Sequence, residues 1–285
     1  MRLSRTLHSR LTHPNWLYGL ILTYLLVSWA LVVALDVLNL NNWGNWFIDS
    51  ASYLMMGDDP TMTDPPAPFY YVWFCEGSPV EWLQWVSLGS LIIVGVKLAS
   101  QVQNLSKKLA TFWMLIAITA LLLLLEDAGN PRHRLTGFLG IFHPVLPSGF
   151  PLSTAFELFV YFPLLAALPV YALYRYYDAI AEYKIVKSYL WIGFGFYAIA
   201  AIMSGTSGIA GWYSIVGEWS LSFFSAHIHT SDSVVNLHFH IMDSLVEETI
   251  ELLGAGALLC SAMAQRYELR TKGDCTPSGR IVLKR

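Results

Sequence analysis

Residues 16–38 read WLYGLILTYLLVSWALVVALDVL, and Asp36 is the one charged side chain in that stretch. A helix that crosses a hydrocarbon core needs about 20 mostly apolar residues, because lipid forces every backbone polar group to be satisfied within the segment. The run meets that length. It is too long for the core of a cleavable signal peptide and lacks a small-residue cleavage site, so it reads as a retained anchor. Working outward from it, five more such runs emerge, over residues 79–100, 109–126, 154–174, 188–212 and 241–264. The reading is an all-α integral membrane protein of about six transmembrane helices. It forms one polytopic domain over residues 1–265, followed by a tail at 266–285.

Composition agrees. Apolar residues make up 55% of the chain and charged residues 13%, about half the charged share of soluble domains. Local punctuation marks two helix starts. Ser78-Pro79-Val80-Glu81 offers an N-cap hydroxyl, a proline at the first helical position and a glutamate able to close a capping box, and Thr154 with Glu157 repeats the box pattern. Pro163 and Pro169 predict kinks in the fourth span.

Orientation follows from lysine and arginine, which accumulate in cytoplasmic loops. With the N-terminus inside, fifteen of the 17 basic residues fall on the cytoplasmic side and only Arg132 and Arg134 lie outside. Both termini are therefore expected in the cytoplasm. The acidic residues segregate the other way: only Asp178, Glu182, Glu268 and Asp274 fall inside. A net charge of -3 thus hides a dipolar molecule whose acidic outer face attracts cations and argues against nucleic acid as a partner. The lipid bilayer is the expected surrounding, and sparse cysteine with little sign of glycosylation fits a bacterial inner membrane. Cys75, Cys260 and Cys275 fall at three different levels, so no two of them are expected to pair.

The first outer segment, about 39–77, is long and aromatic-rich, with Trp43, Trp46, Phe69, Tyr70, Tyr71, Trp73 and Phe74. Such residues gather at the headgroup level, so a re-entrant or interfacial cap is expected there.

The chemistry is expected where the sixth helix meets a histidine-bearing segment. At about 100° per residue, His240, Asp243, Ser244, Glu247 and Glu251 share one helix face, with Glu248 at its edge. Counting ~1.5 Å per residue from Ile241, Glu247 and Glu251 lie roughly 9 and 15 Å below the outer boundary, where a carboxylate is costly unless paired, protonated or hydrated. Glu126 and Asp127 end the third helix at the same level, followed by Arg132, His133 and Arg134; Glu157 and Asp36 are further candidate partners. Two His-x-His pairs lie just upstream, His227 with His229 and His238 with His240. In an extended segment each pair points one way; in a helix its members diverge by about 200°.

Imidazole and carboxylate together suit zinc, iron, manganese or copper. The metal-ligand candidates are His227, His229, His238, His240, His133, Asp127, Asp243 and Glu251, with Glu247 or Glu126 as general base or proton carrier. The function so read is a metal-binding membrane protein, and within that class a metal-dependent enzyme acting on a lipid-phase or outer-side substrate. Two other readings stand beside it: a proton or cation transport component using Glu247, Glu248 and Glu251, and a non-catalytic scaffold in which Arg132 or Arg134 pairs with the carboxylates. The histidine boxes of membrane desaturases, HExxH, GxSxG and a Walker loop are absent. The mixture of His, Asp and Ser in a membrane bundle is loosely similar to the ceramidase-like membrane hydrolases, but helix count and motif order differ, so no residue role is carried over.

Overall fold

The computed structural model describes residues 14–47, 68–142, 151–207, 209–224, 237–275 and 281–283. Nine helices in these residues carry the description. They are α1 (Pro14–Val37), α2 (Phe69–Phe74), α3 (Pro79–Val102), α4 (Lys107–Gly129), α5 (Pro131–Phe142), α6 (Leu152–Ile180), α7 (Lys184–Thr206), α8 (Trp212–Leu221) and α9, whose consecutive segments are Leu237–His240, Ile241–Glu247 and Glu248–Lys272. Gly273–Cys275 and Ile281–Leu283 add a short antiparallel pair after α9.

Five helical stretches, α1, α3 (taken together with α2), α4, α6 and α7, are long and apolar enough to cross a membrane. The chain is therefore built as a multi-pass helical membrane protein. The sixth run of the sequence reading, within α9, is not among the five. Its 25-residue segment Glu248–Lys272 is long, but it carries Glu248, Glu251, Gln265 and several basic residues. The packing shows why those side chains are tolerated. Residues 254–262 of α9 are buried without interruption, and Ser261 and Gln265 are fully inaccessible, because α1, α3 and α7 surround the helix. Cys260 Sγ reaches the carbonyl of Pro14 at one end of α1, and Trp29 Nε1 donates to Thr249 Oγ1 at 3.1 Å near the other, so α9 runs antiparallel along α1.

Tight turns at 103–106 and 181–183 join α3 to α4 and α6 to α7 at one end of the bundle, where Lys107, Lys108, Lys184 and Lys187 cluster in sequence; this is the basic end. Glu76, Glu81, Glu126, Asp127, Glu157 and Asp243 belong to the opposite, acidic end. Ser106 caps α4, and Ser78 caps α3 by accepting from the Glu81 amide at 3.4 Å. Glu81 closes its box one residue earlier than expected, accepting from the Gly77 amide. The second box does not form. Pro151 is the N-cap of α6, so Thr154 lies inside the helix, and Glu157 opens a π turn, Glu157–Tyr161.

The spans pack as an open horseshoe. α6 lies on α4, α4 on α3, α3 on α9 and α9 on α7, while α6 and α7, neighbours in sequence, barely touch. Close approach in the closed part uses small residues. A Cβ on Gly193 of α7 would lie 3.0 Å from the Gly254 carbonyl oxygen, and one on Gly254 of α9 would lie 3.2 Å from that of Gly193. One core, with Leu88, Leu91, Phe112, Trp113, Ile116, Leu190 and Leu258, fills the space between α3, α4, α7 and α9.

A second core gathers at the acidic end and takes in the last part of the segment expected as an interfacial cap, whose residues 48–67 lie outside the described residues. Phe69, Tyr70 and Phe74 of α2 are buried within protein, against α1, α3 and α9. Asp36, read from sequence as a partner of the ionisable cluster, is fully buried and caps α2 instead, accepting from the amides of Phe69 at 3.0 Å and Tyr70 at 2.8 Å. Among the described residues of this segment, Trp43 and Trp46 are exposed, at 61% and 67%.

Candidate functional site

Inside the horseshoe lies a cavity of 620 Å³. Its acidic-end wall brings together Glu81 and Gln84 of α3, Glu126 and Asp127 of α4, Arg132 of α5, and Asp243, Ser244, Glu247, Glu248 and Glu251 of α9. Towards the basic end the wall turns largely apolar, with Pro163, Leu165, Ala166, Pro169 and Val170 of α6 facing Trp191, Phe194 and Ala198 of α7. A second, polar cavity of 530 Å³ shares Glu76, Glu81, Asp127 and Asn130 with the first and adds Arg134, Trp85 and Gly77, forming a vestibule at the acidic end.

At the centre stands Gln84, fully buried. Its Nε2 donates to Asp127 Oδ2 at 2.8 Å and to Glu251 Oε2 at 2.9 Å, tying α3, α4 and α9 together. Two buried acceptor oxygens in this wall have no hydrogen-bond partner, Gln84 Oε1 and Glu248 Oε2. Each such orphan costs about 1–3 kcal/mol in a buried environment, and Tyr197 Oη, buried in the same wall, also has no partner, so the carboxyl groups and their donors are only partly matched.

Two other tyrosines and one arginine do reach the carboxylates. Glu247, 5% exposed, accepts from Tyr213 Oη of α8 at 2.8 Å. Burial, and then the Glu247 carboxylate beside it, hold the Tyr213 phenol well above its ordinary range, so it stays a donor. Tyr161 Oη donates to Glu126, and Arg132 Nε lies 3.5 Å from Glu126 Oε1. Arg132 also donates to Ser204 at the end of α7 and places its guanidinium 5.5 Å from the Phe162 ring, so it bridges α5, α6 and α7 over the acidic mouth of the cleft. Burial disfavours its charge, but Glu247, Glu157, Glu126 and Glu251 outweigh that and hold its pKa above the usual value.

The sequence-derived candidates divide accordingly. Asp127, Asp243, Glu247, Glu251 and Glu126 share the cavity wall. His240 does not: its Nδ1 lies 3.5 Å from Asp243 Oδ2 and its ring packs edge-on to Tyr71 at 5.1 Å. His238 lies one residue into the helical segment Leu237–His240 and is exposed, so the pair diverges as a helix requires. His227, His229 and the side chain of His133 lie outside the described residues. Among the described residues, no three His, Cys, Asp or Glu side chains stand already arranged as a metal-ligand set. The sequence reading missed Gln84, Tyr161 and Tyr213, and it took Glu81 only for a cap. The spacing of Glu81 and Gln84, three apart on one helix face, was the available signal.

The class these observations define is a helical membrane bundle with a carboxylate-lined internal chamber. Comparison of the chain with protein-family models, with curated proteins and with solved structures finds no match.

Proposed function

We propose that the chamber holds a hard divalent cation and that the protein is a metal-dependent membrane enzyme acting on a substrate drawn from the lipid phase. The observation that carries this reading is the convergence of Glu81, Glu126, Asp127, Glu247, Glu248 and Glu251 on one wall with Arg132 as its cation, Asp127 and Glu251 being held to one point by the Gln84 amide. Carboxylates at this density in a bundle core cannot all be ionised without compensation, and glutamates from facing helices are a recurrent way to hold metal in bundles.

Gln84 suggests how the site forms. A half-turn of its amide exchanges donor for acceptor, and Oε1 then joins Asp127 and Glu251 in presenting oxygens to one point. An all-oxygen set favours magnesium, calcium, manganese or ferrous iron over the softer zinc or copper ions. The polar vestibule supplies water, which a bound cation would activate, and Glu247 and Glu126 are the adjacent bases, each already held by a tyrosine hydroxyl.

We place the acidic end outside and the basic end in the cytoplasm of a bacterial inner membrane, with α9 as a sixth crossing shielded from lipid by its neighbours. A cation relay along Glu247, Glu248 and Glu251 would need carboxylates beyond Glu251, and the cavity wall there holds Leu165, Val170, Leu173 and Trp191 with only the hydroxyls of Thr119 and Tyr197 among them.

The test is metal content after purification without chelator and reconstitution with magnesium, calcium, manganese and ferrous iron. Wild type is expected to retain metal, Asp127→Asn and Glu251→Gln to lose it, and His240→Ala to keep it. Wild type without metal under all four conditions overturns the proposal.

A further inference from the structure

We infer that the apolar half of the cavity is a lateral entry groove for a single-chain amphiphile with a small, non-anionic head, such as a long-chain alcohol or amine; this names the substrate class for the chamber proposed above and rests on that reading. The gap between α6 and α7 comes first. These helices are the least buried of the five spans, with 11% and 22% of their apolar windows covered. They meet at the acidic end, where a Cβ on Gly205 would come within 2.7 Å of Leu158, and are joined by the turn at 181–183 at the basic end, with few contacts otherwise. Gly195, which lines the cavity from α7, would find nothing within 4 Å of an added Cβ.

Length and volume then choose the occupant. The α7 wall runs from Ser204 to Trp191, about 20 Å at about 1.5 Å per residue, so the groove takes a chain as long as one leaflet's share of a ~30 Å core. The cavity of 620 Å³ is of small-ligand size, within the usual range of about 300–1,000 Å³, and accommodates one chain and a small head rather than a two-chain phospholipid. Charge chooses the head. The groove ends on five carboxyl groups, Glu126, Asp127, Glu247, Glu248 and Glu251, with Arg132 as the opposing cation, so a phosphate or carboxylate head adds negative charge to a wall that already lacks compensation, whereas a neutral head does not. A hydroxyl or amine brings the donor that Glu248 Oε2 lacks.

The experiment is photolabelling of the full chain in neutral lipid nanodiscs with a hexadecanol analogue carrying a mid-chain diazirine, with labelled residues mapped by mass spectrometry. Labelling is expected on the facing surfaces of α6 and α7, reduced several-fold by excess hexadecanol but not by hexadecyl phosphate. Gly195→Trp and Ala198→Trp should lower it several-fold while metal content stays unchanged. Labelling spread evenly over all lipid-facing helices, including Leu26 and Val27 of α1, overturns the inference, as does equal competition by the phosphate. Because the wild-type map needs no variant, misfolding of either tryptophan variant leaves the test intact. Groove labelling in a protein that binds no metal would sink the enzyme reading and spare the groove.

Discussion

Asp36 shows what a single buried side chain does in this fold. Its two oxygens satisfy the first amides of α2, and that short helix carries Tyr70, whose hydroxyl donates to the Leu237 carbonyl at 3.1 Å where α9 begins. Removing the carboxylate leaves buried N–H groups unpaired, so Asp36→Ala is expected to destabilise the protein by about 1.5–3 kcal/mol, read as a lowered midpoint in detergent unfolding. Gly217 of α8 is as sensitive for a steric reason: a Cβ there would sit 1.6 Å from the His238 carbonyl oxygen. Gly217→Ala must therefore displace α8 from α9 and with it the Tyr213–Glu247 hydrogen bond. A marked loss of thermal stability is expected, whereas Gly89→Ala, where nothing lies within 4 Å, should leave stability unchanged or raised. Sequence showed Asp36 as an ionisable residue near a helix end, but its partners lie 33 and 34 positions away, and local pattern carries no such information.

At the scale of elements, hydrophobic run length located the spans because lipid imposes it, and their ends shifted where turn geometry intervened. The fifth run was read to Trp212, yet α7 stops at Thr206. Ala210 and Gly211 adopt positive φ, 53° and 63°, which turns the chain into α8. The acidic stripe on α9 was read at a constant 100° per residue, but Ile241–Glu247 is a π segment whose longer turn alters the phase. The result separates His240, which faces Tyr71, from Ser244, Glu247, Glu248 and Glu251, which face the cavity. Carboxylates were thus legible as a group, while His240 stands beside the cavity-lining Asp243 and His227, His229 and the side chain of His133 lie outside the described residues. The α7–α9 contact offers a test at this scale. Gly193→Leu and Gly254→Leu should each lower the unfolding temperature by separating the two helices, because the added side chains meet Leu258 and Tyr197 within 3.1 Å.

For the whole molecule, the charge asymmetry from which an orientation was expected is kept in the fold: a chain of 55% apolar residues gathers its buried carboxyl groups at one end. Short helices α2, α5 and α8 close that end, while the basic end is joined by tight turns. The horseshoe and its gap were not legible, since they depend on which helices touch, and α6 and α7 look in sequence like any hairpin pair. The proposed orientation has a direct check. In a background lacking Cys75, Cys260 and Cys275, a cysteine at Ser106 should react with an impermeant maleimide only from the cytoplasmic side, and one at Asn130 only from the outer side. The reverse pattern would invert the topology.

The central claim is that carboxylates and the Gln84 amide, rather than histidines, hold a divalent cation in the chamber. Pulsed electron paramagnetic resonance on the manganese-loaded protein tests it most directly, because imidazole ligands imprint a nitrogen coupling that oxygen ligands do not. The account predicts a bound manganese signal without histidine nitrogen coupling, abolished in Glu251→Gln. A histidine coupling, or no bound manganese at all, would contradict it.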